Sequence, residues 1–256
     1  MRSYKFIYGP VSSWRLGISL GIDPVYTGTG KVCPFDCIYC QAGKTKFHAR
    51  LRKRFIPEEK ILNEIQELPD LGIDYITFSG AGEPTLALNI GKIIDWIKDN
   101  RKEKIAVLTN AAFLSQEGVI KDLKNADLVV AKLDAASEAI FKTVSKPVKG
   151  LTLKNIIKGI KYFRKHFKGK LALQMMFLKE NKHEALSLAR IAREIKPDII
   201  YINTPTRPSR RMALSKKEMA GIKKEFKGLK TLSVYDGKDK KVKTVIKSKI
   251  AKRRGK

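Results

Sequence analysis

The chain has 256 residues, 43% of them hydrophobic, enough to bury a sizeable core as one domain without requiring a second. No run approaches the ~18 uninterrupted apolar residues of a membrane-spanning helix, and the opening MRSYKFIYGPVSSW lacks the apolar stretch of a secretory signal, so a cytoplasmic protein with no membrane partner is expected. Lys and Arg number 53 against 25 Asp and Glu, a formal charge of +28 that concentrates polyanions, RNA foremost; a lysine-rich, heat-adapted composition would raise Glu alongside Lys, and here it does not.

Taken in chain order, an opening strand is predicted over 16–22, followed by a loop that carries all three cysteines. Residues 57–68 (PEEKILNEIQEL) place Ile61, Ile65 and Leu68 on one helical face, with Pro57 suited to a first turn and acids early in the helix. Apolar runs then alternate with amphipathic stretches. Strand 74–79, helix 87–99, strand 105–109, helix 114–124 and strand 127–133 come first; helices near 137–145 and 151–166, strand 171–177, helix 182–195, strand 198–203 and helix 215–227 complete the series. Strands separated by helices imply parallel pairing through right-handed crossovers. About six strand–helix units predict an α/β fold, an incomplete (β/α)6 partial TIM barrel; an open doubly wound sheet would show the same alternation. In either case function sits at the C-terminal ends of the strands. The barrel is expected to occupy residues 1–227, with 228–256 a basic extension whose last nineteen residues hold ten Lys/Arg and one acid.

The cysteines crowd into one window, CPFDCIYC, and an odd number so placed in a reducing compartment reads as ligands rather than a disulfide framework. The spacing C-x3-C-x2-C wraps Cys33, Cys37 and Cys40 around three corners of a 4Fe-4S cluster and leaves the fourth iron without a protein ligand. Such an iron can chelate the amino and carboxylate groups of a methionine moiety. Structural zinc wants four ligands, and only His48 lies near enough to make a fourth.

At these residues the sequence resembles the radical SAM superfamily, with Tyr39 as the aromatic residue before the last cysteine. Ser79 to Thr85 (SGAGEPT) is similar to that family's glycine-rich GGEP-type loop, Leu108-Thr109-Asn110 to its TN(G) step with Ala111 in place of the usual glycine, and Lys132-Leu133-Asp134-Ala135 to its SLD element. The resemblance implies a 4Fe-4S cluster and S-adenosylmethionine (SAM) as cofactors, and a flavodoxin- or ferredoxin-type electron donor as partner. It also implies SAM contacts from Tyr39, Gly80, Gly82, Glu83, Asn110, Asp134 and Gln174, with reductive cleavage of SAM to a 5′-deoxyadenosyl radical as the first step.

The opening YGPVSSWRLGISLGI (residues 8–22) further resembles a wyosine-synthase-like branch, departing from it at Ser12, where proline is usual, and at Trp14, where the first of two arginines is usual. Asn203 to Pro208 (NTPTRP) resembles the same branch. Arg15 and Arg207 are thereby candidate substrate clamps for a carboxylate or phosphate. Residues 44–54 (KTKFHARLRKR) add a basic patch directly after the last cysteine, with Lys44, Lys46, Arg50 and Arg52 as candidate substrate contacts. With every cysteine committed to one cluster, reactions needing a second cluster or a methylated cysteine are disfavoured. RNA modification is the expected function, with a protein, a peptide or a small metabolite as the alternative substrate.

Overall fold

Strand residues alternate between two buried faces, one against the helices and one against the interior of the curled sheet. The computed structural model describes residues 4–237 and Val242, so nearly all of the basic C-terminal stretch lies outside the described residues. In chain order the elements are β1 (Ile7–Ser13), β2 (Gly17–Ile22), β3 (Lys31–Cys33), β4 (Thr45–His48), α1 (Glu58–Gln66), β5 (Tyr75–Phe78), α2 (Ile90–Asn100), β6 (Lys104–Thr109) and α3 (Glu117–Leu123). There follow β7 (Leu128–Lys132), α4 (Glu138–Ser145), α5 (Leu153–His166), β8 (Lys170–Met176), α6 (Ala185–Ile195), β9 (Ile199–Asn203), α7 (Lys216–Glu225) and β10 (Thr231–Ser233).

The main sheet runs β1-β2-β5-β6-β7-β8-β9-β10, parallel throughout except for the antiparallel β1–β2 pair, while β3 and β4 form a separate parallel ribbon. This is the partial barrel that the strand–helix alternation predicts, a curled half-barrel left open between β1 and β10. Ile105, Val107, Val129, Leu171, Leu173, Ile200 and Ile202 face the helices, where Ile90, Ile93, Ile94 and Ile97 of α2 and Leu188, Ala189, Ala192 and Ile195 of α6 cover them. Their neighbours Ala106, Leu128, Val130, Ala172 and Tyr201 face inward around Leu16. Both faces are apolar, as parallel strands under helices require.

Helix ends agree with local chemistry. Ser137 caps α4, Thr152 caps α5, and Ser215 with Glu218 forms a capping box at α7. Helices expected from 87, 114 and 182 begin α-helically at 90, 117 and 185, because 84–86 and 182–184 wind as 3-10 turns and Asn110 to Gln116 forms turns. Strands β1, β3, β4 and β10 were not anticipated. β1 carries a Gly-Pro step that argues against a strand interior and is tolerated on this sheet edge, and β3 and β10 are three residues each. The sheet therefore continues through Ser233, inside the stretch expected to be an extension, and Tyr235 donates its hydroxyl to Leu214 O at 2.7 Å.

Two stability predictions follow from these ends. Exposed Lys196 closes α6 at φ 55°, a left-handed conformation that costs a residue with a side chain about 1 kcal/mol, so Lys196→Gly is expected to raise the melting temperature by about 2–4 °C. Glu58, in the first turn of α1, accepts Asn89 Nδ2 at 2.8 Å, Arg54 Nε at 2.9 Å and Lys92 Nζ at 3.3 Å. The Asn89 hydrogen bond leads the causes that hold its carboxyl down at about 2. A carboxylate depressed on folding stabilises the protein fully above its unfolded value, about 4.3, and loses that contribution as pH falls through the folded one. Urea titrations across that acid window should show a shallower loss of stability in Glu58→Gln than in the wild type.

Candidate active site

The C-terminal ends of four strands, β5 to β8, and the cysteine loop converge on one cavity of about 230 Å³ inside the half-barrel. Period-two alternation explains its walls: Leu108 and Asn110 continue the inward row of Ala106, Val130 and Lys132 that of Leu128, and Gln174 that of Ala172. The structure brings Cys33, Cys37, Cys40, Tyr39, Gly80, Gly82, Glu83, Asn110, Gln174 and Arg15 together on this cavity. Gln174 Oε1 is buried there without a hydrogen-bond partner among the described residues.

The cysteine loop is fixed from several sides. Phe35 N and Asn110 Nδ2 each donate to Cys33 Sγ at 3.4 Å, and Lys132 Nζ donates to Cys37 Sγ at 3.1 Å. Arg210 reaches back from the segment after β9 to donate to Cys37 O at 3.2 Å. Burial pushes the Cys33 thiol up to about 12 and raises Cys37 as well, with Lys31 and Lys132 respectively opposing. Burial pulls the Lys31 ammonium down, yet the neighbouring sulfurs, Cys40 foremost, leave it above its ordinary value. Sulfur donors under N–H groups and two buried lysines suit a thiolate-bound cluster, which carries net negative charge. The donor set fits the 4Fe-4S group that the cysteine spacing implies.

The glycine-rich loop is shaped by the protein's own backbone. A Cβ on Gly82 would collide with Val32 O, and one on Gly80 with the Asp23 side chain. Asp23 Oδ2 accepts Ala81 N at 2.8 Å, and Tyr8, whose ring lies over Gly21, reaches Ser79 Oγ at 2.6 Å. The opening YGPV…LGID segment is thus the floor on which the loop rests. Glu83 is buried and accepts four hydrogen bonds: Thr85 N at 3.1 Å, Thr85 Oγ1 and Thr109 Oγ1 at 2.6 Å each on Oε1, and Asn110 N at 2.6 Å on Oε2. Burial raises its carboxyl above the usual range although all four donors oppose it.

Two expected contacts are placed differently. Asp134 does not wall the main cavity. Its Oδ2 accepts the Tyr39 hydroxyl and, at 2.7 Å, Lys132 Nζ, while Oδ1 accepts Met176 N at 2.9 Å. Burial and this carboxylate hold the Tyr39 phenol well above its ordinary value, and the anionic neighbours of Lys132 hold its ammonium high against the opposing effect of burial. Arg52 leaves the set of substrate contacts: its guanidinium is buried, donating to Thr85 O at 2.8 Å and Ala87 O at 3.1 Å and pairing with Asp122. In a run of charges nothing distinguishes it from exposed Lys44, Lys46 and Arg50.

A second cavity, of about 300 Å³, adjoins the first through Arg15 and is walled also by Arg207, Gln41, Asn203 and Thr206. Trp14 builds it. The β1–β2 turn folds into the half-barrel, where Trp14 meets Tyr201 edge to face at 5.7 Å and Arg15 lies over the Trp14 ring at 5.4 Å. Lys31 and Lys132, walls of the main cavity, were missed as site residues. Their signal was parity alone, Lys31 with Cys33 and Lys132 with Val130.

The profile of the Radical SAM superfamily matches residues 28–192. A UPF0026 protein of Synechocystis is 40% identical over 80% of this chain and 77% of its own length. One of Methanocaldococcus jannaschii is 38% identical over 78% of this chain, which spans 64% of that protein. Among solved structures, TYW1 with a lysine-pyruvate adduct bound superposes with a TM-score of 0.63 at 15% identity, over 81% of this chain and 72% of that one, a likeness of fold.

Proposed function

The chain belongs to the radical SAM superfamily, and from that membership we propose that Cys33, Cys37 and Cys40 hold its cluster, that SAM lies in the adjoining cavity, and that the substrate is RNA, either tRNA or rRNA. Radical SAM enzymes work with a 4Fe-4S cluster and SAM, and both are cofactors of this one. They also require a reductant, for which a flavodoxin- or ferredoxin-type protein is the proposed donor. When bound, the two cofactors would supply the radical chemistry of this superfamily, hydrogen abstraction from substrate.

The protein's share is to hold, orient and exclude water. Gln174 offers an unused acceptor to the cavity, and Gly80, Gly82 and Asn110 give it backbone and amide edges. Glu83 contributes whatever capacity Oε2 has left after Asn110 N, a fit for the SAM ammonium. Asp134 acts through Tyr39 and Lys132, setting the tyrosine ring beside the SAM space.

The observation that carries the substrate reading is the second cavity. It opens from the cofactor cavity at Arg15 and sets Arg15 and Arg207 in one polar wall, suited to an anionic group. At about 300 Å³ it takes a single unit of a polymer, while exposed Lys44, Lys46 and Arg50 beyond the cluster loop meet the backbone. The same size also suits a whole small anionic metabolite, the second reading.

Nucleoside mass spectrometry of RNA from a deletion strain, run beside metabolite and peptide profiling, separates them. One nucleoside missing from tRNA or rRNA supports the first reading, and unchanged RNA with an altered metabolite or peptide replaces it. Arg207→Met is expected to weaken substrate binding roughly 10–100-fold, about the loss of one charge-assisted contact, while SAM cleavage without substrate stays at the wild-type rate.

A further inference from the structure

Lys31 stands two residues before Cys33 on β3, and a strand turns such a pair to the same face. The residue is 5% exposed and walls the cofactor cavity, and no oxygen or nitrogen of the described residues accepts from its Nζ, whose leading electrostatic partner is the Cys40 sulfur. The carboxylates around it are committed elsewhere. None of them pairs with it: Glu83 serves four donors and keeps the rest of Oε2 for the proposed SAM ammonium, Asp134 pairs with Lys132, and Asp36 accepts Thr45 N at 2.9 Å with Arg210 beside it at 3.7 Å. An ammonium buried with no counter-ion of its own is costly, unless an anion fills the space it faces.

What it faces is the set of three cysteine sulfurs. Three thiolates on a 4Fe-4S core make a net anion, and reduction adds one more negative charge to it. A fixed positive charge in a low-dielectric wall therefore favours the reduced form over the oxidised one. We propose that Lys31 is the buried counter-cation of the cluster and raises its reduction potential, making one-electron reduction by the donor easier. Lys132, whose Nζ donates to Cys37 Sγ at 3.1 Å, differs in bringing its own carboxylate, Asp134 at 2.7 Å, so that pair adds a dipole and no net charge. Lys31 is a positioning and tuning residue, and its role rests on the three cysteines being the cluster's ligands.

The test uses full-length protein reconstituted anaerobically with iron and sulfide, without SAM, in an EPR-monitored redox titration of wild type, Lys31→Met and Lys31→Arg. The expected result is a midpoint shifted to more negative potential in Lys31→Met and returned close to wild type in Lys31→Arg. If Lys31→Met holds less iron, recovery of iron content in Lys31→Arg supports the same role, and equal loss in both variants overturns it. A Lys31→Met midpoint equal to wild type also overturns it, including the case where SAM affinity alone falls, which would make the lysine a SAM contact. Wild-type protein that takes up no iron overturns the cluster reading itself, and this proposal with it.

Discussion

Cys37→Ala protein, reconstituted anaerobically and given SAM and dithionite, is expected to form no 5′-deoxyadenosine above a no-enzyme background. The loss should exceed the ~10–100-fold typical of removing a partner in the shell around a metal site, because the substitution removes one of three proposed thiolate ligands. The fold should survive it. Cys37 Sγ accepts one hydrogen bond, from Lys132 Nζ, and Lys132 keeps Asp134 and the Tyr39 hydroxyl at 2.7 Å each when the sulfur is gone. Circular dichroism of the cluster-free variant should therefore match wild type while its iron content falls. Cleavage that persists in Cys37→Ala would sink the assignment of this thiol.

Glu83→Gln is expected to destabilise the protein by about 2–4 kcal/mol as well as to lower SAM cleavage, an effect on stability that a residue reserved for ligand contact would not have. Glutamine has one acceptor oxygen where Glu83 has two. If that oxygen keeps Thr85 and Thr109, the new amide group points its donors at Asn110 N, which lies 2.6 Å from Oε2. If the amide flips, it meets three donors instead of one. Either way buried N–H and O–H groups lose acceptors in a cavity wall, and the ends of β5 and β6 lose the group that joins them. Urea melts of the two proteins measure this directly. Unchanged stability in Glu83→Gln would show that its hydrogen bonds do not organise the site.

How much could be read before folding varied from residue to residue, for identifiable reasons. The cysteine loop was legible because thiols within eight residues need no tertiary information to be grouped. The loop at Ser79 to Thr85 was legible as a motif, but not that its glycines also make room for Asp23 and Val32 O, partners 57 and 50 residues distant in sequence. Asp134 was expected as a SAM contact, yet its two oxygens turn to Tyr39, Lys132 and Met176, which no spacing rule connects. Arg52 and Arg50 stand two apart in one basic run, and only the folded positions of Thr85 O, Ala87 O and Asp122 turn one of them inward.

Sequence by itself determined the alternation of strands and helices, the parallel crossovers that follow from it, and the three-thiol loop, because each rests on periodicity or spacing within a few residues. The tertiary structure alone decided which face of each strand looks inward. Both faces of these strands are apolar, one against helices and one against the barrel interior, so composition carries no sign of direction. That choice brings Lys31, Lys132 and Gln174 to the cavity, and the inward fold of the Trp14 turn brings Arg15 beside Arg207. The cavity walls so formed unite residues up to 192 positions apart, and chain closure over such spans is set by the packing of the whole half-barrel rather than by any local preference.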